Sequence, residues 1–334
     1  MSRLRLTMAC WNYDRTRGLL ENRIPVDGIE LNYLNLPVEE TFFRMLRHRE
    51  FEVAELSLSS YTLSLFQEHA RGDAPFIAIP VFLSRFFRHS CIYVNAGSEI
   101  REPADLIGKR VGNPEYQMTA PVWIRGILSD EYGVPVTSVT YVTGGEEQAG
   151  RTEKIPLSLP PEIRVESIPP EKTLSRMLET GEIDALYTAR APSTFVNGTR
   201  KVKRLFPDYP AVERAYYRKT GIFPPMHIVA IRRDVYENNP WVAQSLCKAF
   251  AAAQREVYSD LRETGALMHM LPWLTSHVEE TEKLMGRDFW PYGYDANVHA
   301  LTTFLRYHHE QGLSKRLLSP KELFAPESLE AFKI

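Results

Sequence analysis

The stretch Pro103-Ala-Asp-Leu-Ile-Gly-Lys-Arg-Val-Gly112 reads as a short helix turning into a strand, inside a second α/β set that begins near Ser90. Within that set, 91–94, 139–142, 165–168 and 183–187 pattern as strands, and 120–132 and 172–180 as helices, the latter closed by Gly181. Residues 144–161, rich in Gly, Glu, Pro and Ser, read as a long loop. Upstream the same alternation holds, with strands over 5–9, 29–36, 51–58 and 77–83 and helices over 12–21, 38–49 and 60–69. Glu39 and Glu40 fall in the first turn of 38–49, where the helix dipole favours acid. This βαβ rhythm predicts mainly parallel sheets with helices on both faces. Residues 226–231 form a further apolar strand, and the remainder is mainly helical, most clearly over 241–261.

At 334 residues the chain has room for two domains, or one large one, at roughly 100–200 residues each. Forty basic residues against 42 acidic ones give a formal charge of -2 without a long basic tract, which argues against a nucleic-acid partner. The longest apolar run is eight residues, Phe76 to Leu83, far below the roughly 20 of a helical membrane span, so no membrane partner is expected. Three cysteines, Cys10, Cys91 and Cys247, lie far apart and suit a reducing compartment. Leu6 to Cys10 is too short for a signal core, and Asp14, Arg15 and Arg17 follow it; the expectation is a cytoplasmic protein. No cofactor is expected. Gly144-Gly145 lacks a nucleotide-binding context, and a divalent metal is left open because no ligand spacing points to one.

An α/β unit, a second unit inserted into it, and a return strand with helices resemble type II periplasmic-binding-protein folds. Pro103–Gly112 is similar to the stretch that opens their second lobe. The resemblance implies an α/β, two-lobe architecture: central mixed sheets flanked by helices, with a cleft between lobes. Lobe one would be 1–89 with 227–334, and lobe two 90–226. Nearly the whole chain resembles the 4,5-dihydroxyphthalate decarboxylase family. The residues that carry this are Cys10-Trp-Asn-Tyr-Asp14, Glu55-Leu-Ser-Leu-Ser-Ser-Tyr61, Pro80-Val-Phe-Leu-Ser-Arg-Phe-Phe-Arg-His-Ser90, Gly112-Asn-Pro-Glu-Tyr-Gln-Met-Thr-Ala120 with Trp123 and Arg125, Thr188-Ala-Arg-Ala-Pro192 and Trp290-Pro-Tyr-Gly293. It implies nonoxidative decarboxylation of 4,5-dihydroxyphthalate to protocatechuate and CO2, with a small aromatic carboxylate as partner. The competing readings are a solute-binding protein for an aromatic or sulfonate anion, and another cytoplasmic enzyme on the same fold. A homo-oligomer is left open.

Such a reaction needs a base for the phenol para to the departing carboxylate, an acid for the ring carbon, and a cation for the carboxylate that stays. The expected catalytic residues are His89, Glu55 and His227. Arg85, Arg88 and His89 sit where the chain crosses between lobes, and a guanidinium fork matches a carboxylate. Alternation puts Glu55, Ser57 and Ser59 on the side of a strand end opposite Leu56 and Leu58. Tyr116 and Thr119 fall in a strand-to-helix turn, Arg125 follows on the helix near Trp123, and Arg190 is a strand-end cation. His227 opens the return strand, as catalyst or as a packed residue. Trp11 and Tyr13 follow the first strand, as an aromatic floor or as core. Trp290 belongs to an aromatic loop that is either a lid or a plug.

Overall fold

The computed structural model describes residues 3–67 and 74–330. Its strands are β1 (Leu4–Cys10), β2 (Ile29–Asn35), β3 (Val53–Ser57), β4 (Phe76–Arg85), β5 (Ile92–Asn95), β6 (Arg110–Asn113), β7 (Thr140–Thr143), β8 (Arg164–Ser167), β9 (Ala185–Tyr187), β10 (Val202–Arg204) and β11 (Pro225–Arg232). They form two sheets, ordered β2-β1-β3-β11-β4 and β10-β5-β9-β6-β7-β8.

Both sheets are mixed. β1 runs parallel to β2 and β3, while β11 lies antiparallel between β3 and β4. In the second sheet β6, β7, β8 and β9 pair in parallel and β5 runs against β9 and β10. Among the described strands five pairings are parallel and four antiparallel, so the sheets are the mixed ones that the two-lobe resemblance implies, and the antiparallel share has a topological reason in the first sheet. The chain leaves the first sheet along β4 and re-enters it along β11, so the return strand must run against β4. The helix expected over 60–69 begins earlier, at Leu58–Ser64, and positions 68 and 69 lie outside the described residues.

One apolar core joins the two sheets. It holds Leu56 and Phe82 from the first sheet, Val111 and Tyr141 from the second, and Trp123 and Phe304 from helices. The helix Thr119–Tyr132 is the wedge between them, and Trp123 donates its indole N–H to the Pro225 carbonyl of β11 at 2.9 Å. The helix Val298–Glu310 falls in the first lobe by the sequence division, yet it packs on this wedge. Trp123 meets Phe304 and Tyr307 with ring centroids 5.6 and 5.7 Å apart, and Tyr307 donates to Asp130 at 2.7 Å.

Gly126 makes that crossing possible: a β-carbon there would stand 2.1 Å from the Tyr307 ring. Gly126→Ala therefore overpacks a stiff contact and is expected to cost about 1–3 kcal/mol. In urea the midpoint should fall with the slope unchanged, whereas an unmoved midpoint would mean that the helices part freely.

Candidate active site

The end of β3 and the start of the wedge helix meet face to face. Ser57 Oγ and Thr119 Oγ1 are 2.8 Å apart, and the Ser59 N–H donates to Thr119 Oγ1 at 3.0 Å. Both pairs are buried, so this is a polar seam inside the core. Beside it opens a cavity of about 230 Å³, below the roughly 300–1,000 Å³ of sites for drug-sized ligands and suited to a single substituted ring. Ser57, His227 and Ser84 of the first sheet form one wall. His227 pairs with Ser57 on one side and with Ser84 on the other, which sets the three in a row across three strands. Thr119 and Ala120 line the opposite wall, where the first turn of a helix leaves backbone N–H groups without intrahelical partners.

Behind His227 stands Glu55, 1% exposed. A buried carboxylate requires donors, and it has four. Tyr13 O–H donates to Oε1 at 2.5 Å and Trp11 N–H to Oε2 at 3.2 Å, Cys10 Sγ lies 3.6 Å from Oε2, and His227 Nδ1 is 2.6 Å from Oε1. Burial works to raise the Glu55 carboxyl, but the bond to His227 and the charge that ring carries once protonated outweigh it and hold the carboxyl below its ordinary range. Burial first, then the Glu55 charge, pushes the Tyr13 phenol up, so it stays a neutral donor. With Nδ1 bound to Glu55, Nε2 is the nitrogen that finds no partner among the described residues, and His227 lines the cavity. Phe42 sets its edge on the imidazole, with ring centroids 4.9 Å apart.

The remaining wall is cationic: Arg88, Arg151, Lys154 and Arg190 line the cavity against a single carboxylate, Glu39. The Arg88 Nε points at Met226 Sδ at 3.1 Å, its Nη1 lies 3.6 Å from Cys91 Sγ, and no carboxylate pairs with it among the described residues. Arg151 bonds Glu115 at 2.6 Å, and Lys154 holds the same oxygen. Arg190 bridges to Glu39 at 2.8 Å across the mouth. Burial opposes ionisation of Glu39, yet Arg190 holds its carboxyl below the ordinary range.

Of the residues singled out in the sequence, His227, Ser57, Thr119, Arg88 and Arg190 line the cavity, with Glu55 and Tyr13 directly behind His227. The others lie elsewhere. His89 is packed among Tyr132, Phe206 and Tyr216, neither ring nitrogen has a partner among the described residues, and burial pulls it down to about 4. The short turn at His89–Cys91 aims it into the core, so it serves as a packed neutral ring. Arg85 is spent on the Phe223 and Pro291 carbonyls, each at 2.9 Å, and on Asn297. The Ser59 hydroxyl turns inward to His308 Nε2 at 3.1 Å.

Tyr116 donates to the Gln311 carbonyl at 3.0 Å. Arg125 packs 3.9 Å over the Tyr116 ring and bonds Gln311 at 2.7 Å and the Tyr116 carbonyl at 2.7 Å, so both brace the turn from behind. Trp11 is 42% exposed and reaches the site only through its backbone N–H. The Trp290 indole bonds the Phe82 carbonyl at 2.8 Å under Arg15, which makes the aromatic loop a plug. Sequence reasoning missed Ser84, Arg151 and Lys154. The two cations lie in the irregular 144–161 stretch, where no period marks a face.

Across nearly its whole length the chain overlays on periplasmic solute receptors. The aliphatic sulphonate binding protein SsuA of Escherichia coli matches with a TM-score of 0.54 at 13% identity, covering 98% of this chain and 99% of that one. A putative sulfonate-binding SsuA of Methylobacillus flagellatus matches with a TM-score of 0.53 at 13% identity, covering 98% and 93%. The architecture is therefore that of the periplasmic-binding-protein fold. No family model matches the sequence. A 4,5-dihydroxyphthalate decarboxylase of Comamonas testosteroni is 43% identical over 334 residues, all of both chains. One of Pseudomonas putida is 44% identical over 218 residues, 65% of this chain and 83% of that protein. The chain belongs to the 4,5-dihydroxyphthalate decarboxylase family.

The placement of His89 has a pH signature. Its ordinary value is 6.5 and its folded value about 4, so between those limits the unfolded chain takes up a proton that the folded one refuses. Stability is lost as pH falls through that window, on the order of 3 kcal/mol for this one ring. His89→Phe is expected to flatten the acid-side loss in urea midpoints taken at pH 7 and 4.5. An undiminished slope would mean that residue 89 is not buried and neutral.

Proposed function

We propose that the chain is a carboxy-lyase that takes one carboxylate from 4,5-dihydroxyphthalate without oxidation, releasing protocatechuate and CO2 from the interlobe cavity. The observation that carries this reading beyond family membership is the Glu55–His227 pair, with Nε2 turned to a cavity whose facing wall is cationic. Nε2 accepts the proton of the hydroxyl para to the departing carboxylate, and the charged Glu55 stabilises the imidazolium that forms. Electron density moves to the para ring carbon, which is protonated. The carbon–carbon bond then breaks, CO2 leaves, and the bonding pair restores the aromatic ring as a phenolate that recovers its proton from His227.

Ser57 and Ser84, on either side of His227, suit the catechol hydroxyls. The carboxylate that stays is met by the Arg88 fork, whose polar neighbours are sulfur atoms and not carboxylates. The carboxylate that leaves belongs in the apolar part of the cavity, near Phe86 and Met118, because a clamp there would stabilise the ground state.

We place the protein in the cytoplasm, where its three free, buried thiols are at home. No helix among the described residues is long and apolar enough to cross a membrane. Among the described residues no group of three or more His, Cys, Asp or Glu gathers to hold a metal, and the steps above use acid–base groups alone.

Purified protein supplied with 4,5-dihydroxyphthalate, with and without chelator, should release CO2 and protocatechuate. Tight binding without turnover would make it a receptor instead. His227→Gln should lower kcat about 10²–10⁴-fold, in the range of a lost general base, with a smaller change in KM. A rate that survives His227→Gln would place the base elsewhere.

A further inference from the structure

We infer that Lys154 is the general acid that protonates the ring carbon from which CO2 departs. The inference rests on the decarboxylase reading and supplies the group which that reading leaves unnamed. The phenol proton and the carbon-bound proton sit at opposite ends of the ring. His227 Nε2, having taken the first, cannot reach to deliver the second.

The donor must come from the rest of the cavity lining. The guanidinium groups of Arg88, Arg151 and Arg190 do not release protons in proteins. Glu39 is held as a carboxylate by Arg190 and has no proton to give. The hydroxyls of Ser57 and Thr119 bond each other, and an alcohol, theirs or that of Ser84, is a poor acid beside an ammonium group. Lys154 remains.

Its setting fits the task. The side chain is 9% exposed and its ammonium is held by Glu115, itself 2% exposed, which also takes Arg151 at 2.6 Å. Glu115 thus aims the ammonium and keeps it charged in the resting site. Burial pulls the Lys154 pKa below its ordinary value, the nearby positive charge of Arg151 adds to this, and Glu115 and Glu153 oppose it. The outcome is an ammonium easier to deprotonate than one in water, as a donor to carbon requires.

The proton count closes. An N–H bond of Lys154 breaks and a C–H bond forms at the ring carbon. The carbon–carbon bond to the carboxylate breaks, its electron pair stays with the ring, and CO2 leaves. The neutral amine then takes a proton from water, so each turnover consumes one proton overall. This equals the difference between a carboxylate on the ring and CO2 plus a ring C–H.

Lys154→Arg tests this directly, because it keeps the positive charge and removes the transferable proton. With 4,5-dihydroxyphthalate, kcat should fall about 10²–10⁴-fold. Binding of phthalate, which has no hydroxyl to start the reaction, should stay within about threefold of wild type if the charge alone binds it. In the wild type, kcat should decline on the alkaline side as Lys154 loses its proton, and the residual rate of Lys154→Arg should lack that limb. Lys154→Gln, checked for an unchanged melting midpoint, should lose kcat equally and bind phthalate less well. A Lys154→Arg variant with kcat within threefold of wild type, or one that keeps the alkaline limb, overturns the assignment. Absence of turnover in the wild type is a different result and counts against the decarboxylase reading itself.

Discussion

Everything in this molecule turns on the buried seam where Ser57 and Ser59 meet Thr119. Receptors of this architecture are usually thought of as two bodies around a hinge. Here one apolar core runs through both sheets, the wedge helix carries Trp123 to the carbonyl of Pro225, and Phe304 and Tyr307 close over it. Parting the lobes would hydrate several large side chains at about 1.5–3 kcal/mol each and would strand the hydroxyls of the seam. Such a body holds its cavity in one shape. That is what a site needs if its dipoles and charges are to be in place before the reaction begins.

The same rigidity explains how a carboxylate is kept ionised in the interior. Glu55 draws its donors from three places that only the folded sheet brings together: the end of β1, the loop after it, and β11. The pair is thus a product of strand order. Had β11 paired at the far edge beyond β4, His227 would not stand between Ser57 and Ser84, and Glu55 on β3 would be buried without its His227 partner.

Local elements were legible in the sequence because apolar period reports them directly. The strand at 29–35 and the helices at 38–48, 119–132 and 241–262 lie within a residue or so of where the pattern puts them. Non-local pairing is not written in any period. Glu55 and His227 are 172 residues apart and meet only through the antiparallel return of β11. The run Arg85 to His89 shows the opposite limit. Its charged residues look alike in the sequence, yet Arg88 faces the cavity, Arg85 is enclosed by carbonyls, and His89 is turned into an aromatic nest. A bend of three residues decides among these fates, and composition does not encode it.

The arginines have one more consequence. Arg85 and Arg125 are sealed inside with oxygens of amides and carbonyls as neighbours, and Arg88 has sulfur, so among the described residues no acidic side chain forms a direct ion pair with any of the three. Among the buried charged side chains these three arginines stand against two carboxylates, Glu55 and Glu115, so the interior encloses more cation than anion although the chain has a formal charge of -2. Folding leaves that interior short of anions. Of the three only Arg88 lines the cavity, and a doubly charged aromatic acid entering there would stand as the counter-ion the polypeptide omits at that position, stabilising the folded body as it binds.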